Sequence, residues 1–189
     1  MRAKRNIIIF IAIVLVCGWL GVLVDGFIPG QPKGDTLGMG LWLVLPLLTT
    51  IVLRSFAGDG WRDIGFMFHL KGNVKWYIVS LLVYPAVTFT VLLFSYLFDW
   101  MDFSNFEINT VISVFMGSLL IQFVKNLFEE SVWRGYLTSK LLALKVNDFW
   151  LYLIVGGVWG AWHMPYFLVF LSESDIISVL PVNRWLFAI

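Results

Sequence analysis

Five apolar runs in this chain are each long enough to cross a bilayer. They cover residues 7–24, 37–53, 76–98, 109–128 and 149–171. A helix spans the hydrocarbon core with about 20 residues. A further apolar stretch begins near Ile176 and runs on to Ile189. The expected fold is therefore all-α, a polytopic transmembrane helical bundle of about five complete spans plus the start of a sixth.

The composition agrees. Hydrophobic residues make up 60% of the chain and charged residues 13%, against about a quarter in a soluble domain. The lipid bilayer is the expected surrounding. The formal net charge of +1 excludes a nucleic-acid binder, because no basic excess exists to neutralise phosphates. The single cysteine, Cys17, has no internal disulfide partner and reads as a buried apolar residue. The first span follows Arg2, Lys4 and Arg5, but its apolar run is long for a signal peptide and no Ala-x-Ala-like site follows. It reads as a retained span.

Charge asymmetry sets the expected orientation. With the N-terminus in the cytoplasm, Arg54, Arg62, Lys71, Lys75, Lys125, Arg134, Lys140 and Lys145 all fall inside. Only Lys33 and Arg184 fall outside, among Asp25, Asp35, Asp99, Asp102, Glu107, Glu173 and Asp175. Positive charge is retained on the cytoplasmic side. Asp59, Arg62 and Asp63 are expected on a cytoplasmic surface or a short interfacial helix. His69 reads as an interfacial residue.

The chemistry gathers in two segments. In the first, Glu129 and Glu130 sit at the edge of a membrane helix, where each charge is costly. Glu130 and Arg134 are four residues apart, so one helix face can hold them as an ion pair. Lys125 and Glu129 have the same spacing. Neighbouring residues differ by about 100° around a helix, so the two glutamates cannot do the same job. One can pair with Arg134, while the other is a candidate base. Taken alone, this segment also fits an ordinary juxtamembrane helix with its charges in the headgroups.

In the second segment, His163 lies deep in an apolar run, where an ionisable side chain is a functional hypothesis by default. Trp159, Trp162, His163 and Tyr166 share one helix face. Pro165 removes a backbone hydrogen bond nearby and invites a kink. Gly156, Gly157 and Gly160 are expected to let a neighbouring helix approach closely. The plainer alternative is a histidine bonded to another helix for structural reasons.

Together, Glu129-Glu130-Ser131-Val132-Trp133-Arg134 and Trp159-Gly160-Ala161-Trp162-His163 resemble the paired motifs of the CAAX protease and bacteriocin-processing (CPBP, or Abi) family of intramembrane proteases. These are Glu-Glu-x-x-x-Arg on one helix and aromatic-x-x-x-His on the next. The segments Gly135-Tyr136-Leu137 and Met164-Pro165 also look familial, and Gly60-Trp61 through Gly65-Phe66 resembles a pre-core linker. The resemblance implies residues 1–110 as N-terminal helices and linker, and 111–189 as the protease-like core. It implies an intramembrane endopeptidase in which Glu129 and His163 activate a water. Glu130 and Arg134 would support them, with Trp159 as the motif's aromatic. The implied partner is a peptide or membrane-protein substrate, and the implied setting is the plasma membrane of a bacterium.

No cofactor is expected. A divalent metal is the less favoured reading, with Glu129 and His163 as its ligands if one is bound. No His-Glu-x-x-His pattern occurs, and one histidine with two glutamates makes a poor zinc site. The family's third motif, His-x-x-x-Asn, is absent, since no histidine follows His163 and Asn183 stands alone. The sequence is therefore expected to be truncated, fragmentary or degenerate, and catalytically incomplete. The alternative function is a non-catalytic membrane immunity or scaffolding protein of the same fold. A small transporter with Glu129 and His163 as a proton relay is a third reading, which the lack of an internal repeat disfavours.

Overall fold

A computed structural model describes residues 2–65, 67, 69–102, 104 and 106–172. Among these residues the fold is all-α, with no strand. The helices are α1 (Arg2–Gly26), α2 (Leu37–Phe56), α3 (Val74–Leu97), α4 (Ile108–Val132), α5 (Ser139–Ala143) and α6 (Asp148–Pro165). Two π-helical turns interrupt the series, Trp133–Thr138 between α4 and α5 and Tyr166–Phe170 after α6. Five helical segments are long and apolar enough to span a membrane, with α4 continuing through the first π turn into α5 and α6 into the second. This is an integral membrane protein. The apolar stretch from Ile176 lies outside the described residues.

The chain divides into two compact units, Met1–Gly65 with Val124–Ile189 and Phe66–Phe123. In the second unit, α3 buries only Ser95 among its own residues. An apolar helix with that much exposed surface suits hydrocarbon, since all its backbone groups pair internally. His69 also belongs here and is exposed. Its Nδ1 lies 3.0 Å from the Met67 carbonyl, and its backbone N–H donates to the Tyr77 hydroxyl.

The first unit is built on the α1–α2 hairpin. Ile7, Phe10, Val14, Cys17 and Gly21 form the buried face of α1, and Gly38, Trp42, Pro46, Thr49 and Leu53 that of α2. These spacings of three and four keep one stripe of each helix facing its partner. Cys17 is fully buried. The two backbones meet at Gly21 and Gly38, where a Cβ on either glycine would collide with the other's carbonyl. Gly18 makes room for Pro165 and Trp42. The close approach expected at Gly156, Gly157 and Gly160 is not found, because among the described residues nothing lies within 4 Å of a Cβ built there. Small residues permit close packing only where a partner helix presents an equally flat surface.

The free N–H groups at the start of α2 are all met by local acceptors. Leu37, Gly38 and Met39 donate to Gln31 Oε1, Asp25 Oδ1 and Thr36 Oγ1 at 2.8, 2.7 and 3.1 Å. A helix end at a membrane interface needs such caps. Gly38→Ala is expected to cost about 1–3 kcal/mol by overpacking against backbone and the Asp25 carboxylate. Gly40→Ala has open space and should be neutral or stabilising by about 0.5–1 kcal/mol. Detergent-solubilised unfolding of the two variants measures the contrast.

Candidate functional site

Glu129 and Glu130 lie in the last turn of α4, just ahead of the π turn. Their surroundings differ, as neighbours on a helix must. The Arg134 guanidinium donates to Glu130 in an ion pair with both side chains largely exposed. Glu129 is half-buried. The ion pairs among the described residues are Arg134–Glu130, Arg54–Asp63 and Lys140–Asp63, so Lys125 does not pair with Glu129.

His163 is half-buried on α6 within an aromatic surround. The Trp159 and Trp162 rings stand edge-on to it at 4.4 and 4.5 Å, and Phe167 is stacked on it at 5.8 Å. Trp42 of α2 approaches it at 5.8 Å. His163 Nδ1 lies 2.9 Å from the Trp159 carbonyl. A carbonyl only accepts, so Nδ1 carries the hydrogen, and in the neutral ring Nε2 keeps its lone pair. Trp159 itself is exposed.

The two segments meet through tryptophans. Trp133 follows Glu129 by four residues, on the same face, and its ring packs against Trp162 at 5.3 Å. Trp42 is not among the residues expected at the site. It stacks on Trp162 at 4.3 Å and donates from its indole nitrogen to the Trp162 carbonyl at 2.8 Å, and it also stacks on Tyr166 at 5.1 Å. Its spacing of four from Gly38 and Pro46 was the available signal. Pro165, where a kink was expected, ends α6 and is followed at once by the second π turn.

A metal does not fit these residues. No group of three or more His, Cys, Asp or Glu side chains that could hold an ion occurs among the described residues. Glu129 and His163 supply two donors, short of the three protein ligands of a catalytic zinc site. A cavity of about 490 Å³ lined by Tyr96, Asp99, Met101, Asp102 and Ser104 holds none of the residues singled out in the sequence.

The residues after α2 form a loop rather than a short helix, and on it Asp63 is exposed and Asp59 half-buried. Asp63 Oδ1 accepts from Arg54 Nη1 at 2.6 Å, and Asp63 Oδ2 from Lys140 Nζ at 2.8 Å. Asp59 Oδ1 accepts from Asn6 Nδ2 at 3.0 Å, and Asp59 Oδ2 from the Tyr136 hydroxyl at 2.7 Å. Partial burial pushes the Asp63 carboxyl up, but hydrogen bonds and charge from Arg54 and Lys140 outweigh it and hold the group at about 2. A depressed carboxylate binds fewer protons folded than unfolded, so its contribution is complete above its ordinary 3.8 and is lost as pH falls through about 2. Thermal unfolding of wild type and Asp63→Asn from about pH 6 down to about pH 2.5 should show the wild-type advantage shrinking in that acid window.

The comparisons with known proteins bear on the same helices. No curated protein and no solved structure matches the chain. Residues 110–188, which carry Glu129, Glu130, Arg134 and His163, match the family model described as Type II CAAX prenyl endopeptidase Rce1-like.

Proposed function

We propose that this protein is an intramembrane endopeptidase that hydrolyses a membrane-proximal peptide, with Glu129 and His163 activating the attacking water. The observation that supports this reading is that the Glu129 segment and the His163 segment meet through Trp133 and Trp162, with Glu129 and His163 both half-buried. A carboxylate and an imidazole converging on one water are what general-base hydrolysis needs. Glu130 is already engaged by Arg134, which supports Glu129 as the proposed base and Glu130 as its support. The similarity of residues 110–188 to the prenyl endopeptidase family supports the reaction class. The substrate is a prenylated C-terminus, a bacteriocin leader or another membrane-proximal peptide. The proposed setting is a bacterial plasma membrane with the N-terminus in the cytoplasm, and the protease-like core begins at residue 111.

The second reading is a non-catalytic immunity or scaffolding protein of the same fold. It draws support from the sequence, in which no His-x-x-x-Asn motif follows His163. Cleavage of a membrane-anchored peptide by wild type, Glu129→Ala and His163→Ala, reconstituted in vesicles, decides between them. Equal biological activity in all three would remove the protease account.

A further inference from the structure

We infer that Arg54 is a positioning residue of the proposed site: its guanidinium clamps the loop after α2 onto the π turn Trp133–Thr138 and so sets how Glu129 faces His163. The inference rests on the protease reading for its catalytic consequence, and on geometry for the clamp itself.

The π turn creates the need. A single π turn inserted in a helix disrupts the regular ladder and leaves backbone groups in search of partners. Here several side chains answer. Thr138 Oγ1 donates to the Trp133 carbonyl at 2.8 Å. Ser139 Oγ lies 2.8 Å from the Gly135 carbonyl and 3.0 Å from that of Tyr136. Arg54 Nη2 also donates to the Gly135 carbonyl. Arg54 comes from α2, far away in the chain, and its side chain is fully buried.

The other branch of the same guanidinium holds the loop. Arg54 Nη1 donates to the Gly60 carbonyl at 2.5 Å and to Asp63 at 2.6 Å. Lys140, just past the π turn, donates to the Asp59 carbonyl and to Asp63, each at 2.8 Å. Tyr136, inside the turn, donates to Asp59 and packs against Phe10 at 5.0 Å. Gly135 lets the loop close on the turn, since a Cβ there would sit 3.2 Å from the Ile64 carbonyl. Ser139 Oγ also lies 3.3 Å from Asp63 Oδ2, but Arg54 grips both bodies from a third element, α2. The planar fork allows this, and a lysine ammonium at the same place cannot reproduce it.

The turn so held begins at Trp133, whose ring rests on Trp162 next to His163. One turn earlier on the same face stands Glu129. Rotating the π turn therefore rotates Glu129 relative to the imidazole, though Arg54 touches neither.

The test uses the full chain in detergent or nanodiscs, with His69→Gln to simplify the histidine spectrum. The shift that Glu129→Gln produces in the His163 titration midpoint, read by NMR, reports the Glu129–His163 coupling without any substrate. Arg54→Lys should at least halve that coupling, and should lower kcat for peptide cleavage tenfold or more with KM within twofold of wild type. Asp63→Asn keeps the loop side chain's shape and carries the same test if Arg54→Lys does not fold. Wild-type coupling in either folded variant overturns the inference, as does reduced coupling with unchanged kcat. Reduced coupling in a chain whose wild type cleaves nothing leaves the clamp standing and removes the protease reading.

Discussion

Glu129→Gln is expected to lower peptide cleavage by roughly 10²–10⁴-fold, the range for loss of a positioned general base. The amide keeps the size of the carboxylate but cannot take a proton. Unfolding of this variant should match wild type closely, because Glu129 makes no ion pair. Glu130→Gln should behave differently. Its partner Arg134 is exposed, and an exposed i,i+4 pair contributes about 0.3–0.5 kcal/mol, so the cost falls on orientation and is much smaller. Cleavage by the two variants, set beside their unfolding curves, separates base from support. Comparable losses in both would contradict the division of labour between the glutamates.

The largest stability effect is expected at Asp63→Ala. Removing one partner of a buried pair leaves the other charge uncompensated, which costs about 3–5 kcal/mol. Arg54 is fully buried but Asp63 is 37% exposed, and solvent reaching the carboxylate reduces what its loss costs, so about 3 kcal/mol is the expected figure. Arg54→Met should be comparably harmful alone, because the Gly60 carbonyl loses its side-chain donor, and Asp63 and the Gly135 carbonyl are left with only Lys140 and Ser139. The double variant should lose clearly less than the two added together, as contacting residues do. Additive losses in detergent unfolding would show that the pair does not act as a unit.

Much of the helical framework was legible in the residue pattern. Apolar runs of bilayer length became α1 to α4 and α6, with ends within a few residues of those expected. The Glu130–Arg134 pair was legible too, since partners four apart on a helix face meet without help from the rest of the chain. The glycines were harder. Gly18, Gly21 and Gly38 carry the close approach, while Gly156, Gly157 and Gly160 face open space among the described residues. A small residue looks the same in sequence whether or not a helix lies against it.

Asp59 and Asp63 show the same boundary from the polar side. Their spacing and setting read as surface charge, yet their partners are Arg54 at the nearby end of α2 and Asn6, Tyr136 and Lys140 from two distant stretches. Trp42 likewise meets Trp162 only because α1 and α2 form a hairpin that reaches α6. What is local can be read from the residues alone: which segments are helical, which surroundings they need, and which charges share a face. The period of the backbone and the cost of leaving its polar groups unpaired in hydrocarbon dictate those. Only the tertiary structure decided which faces meet, and hence that a buried arginine from α2 holds the turn beside the Glu129 segment. Contacts between remote residues depend on packing and chain closure, for which no short stretch of residues carries the signal.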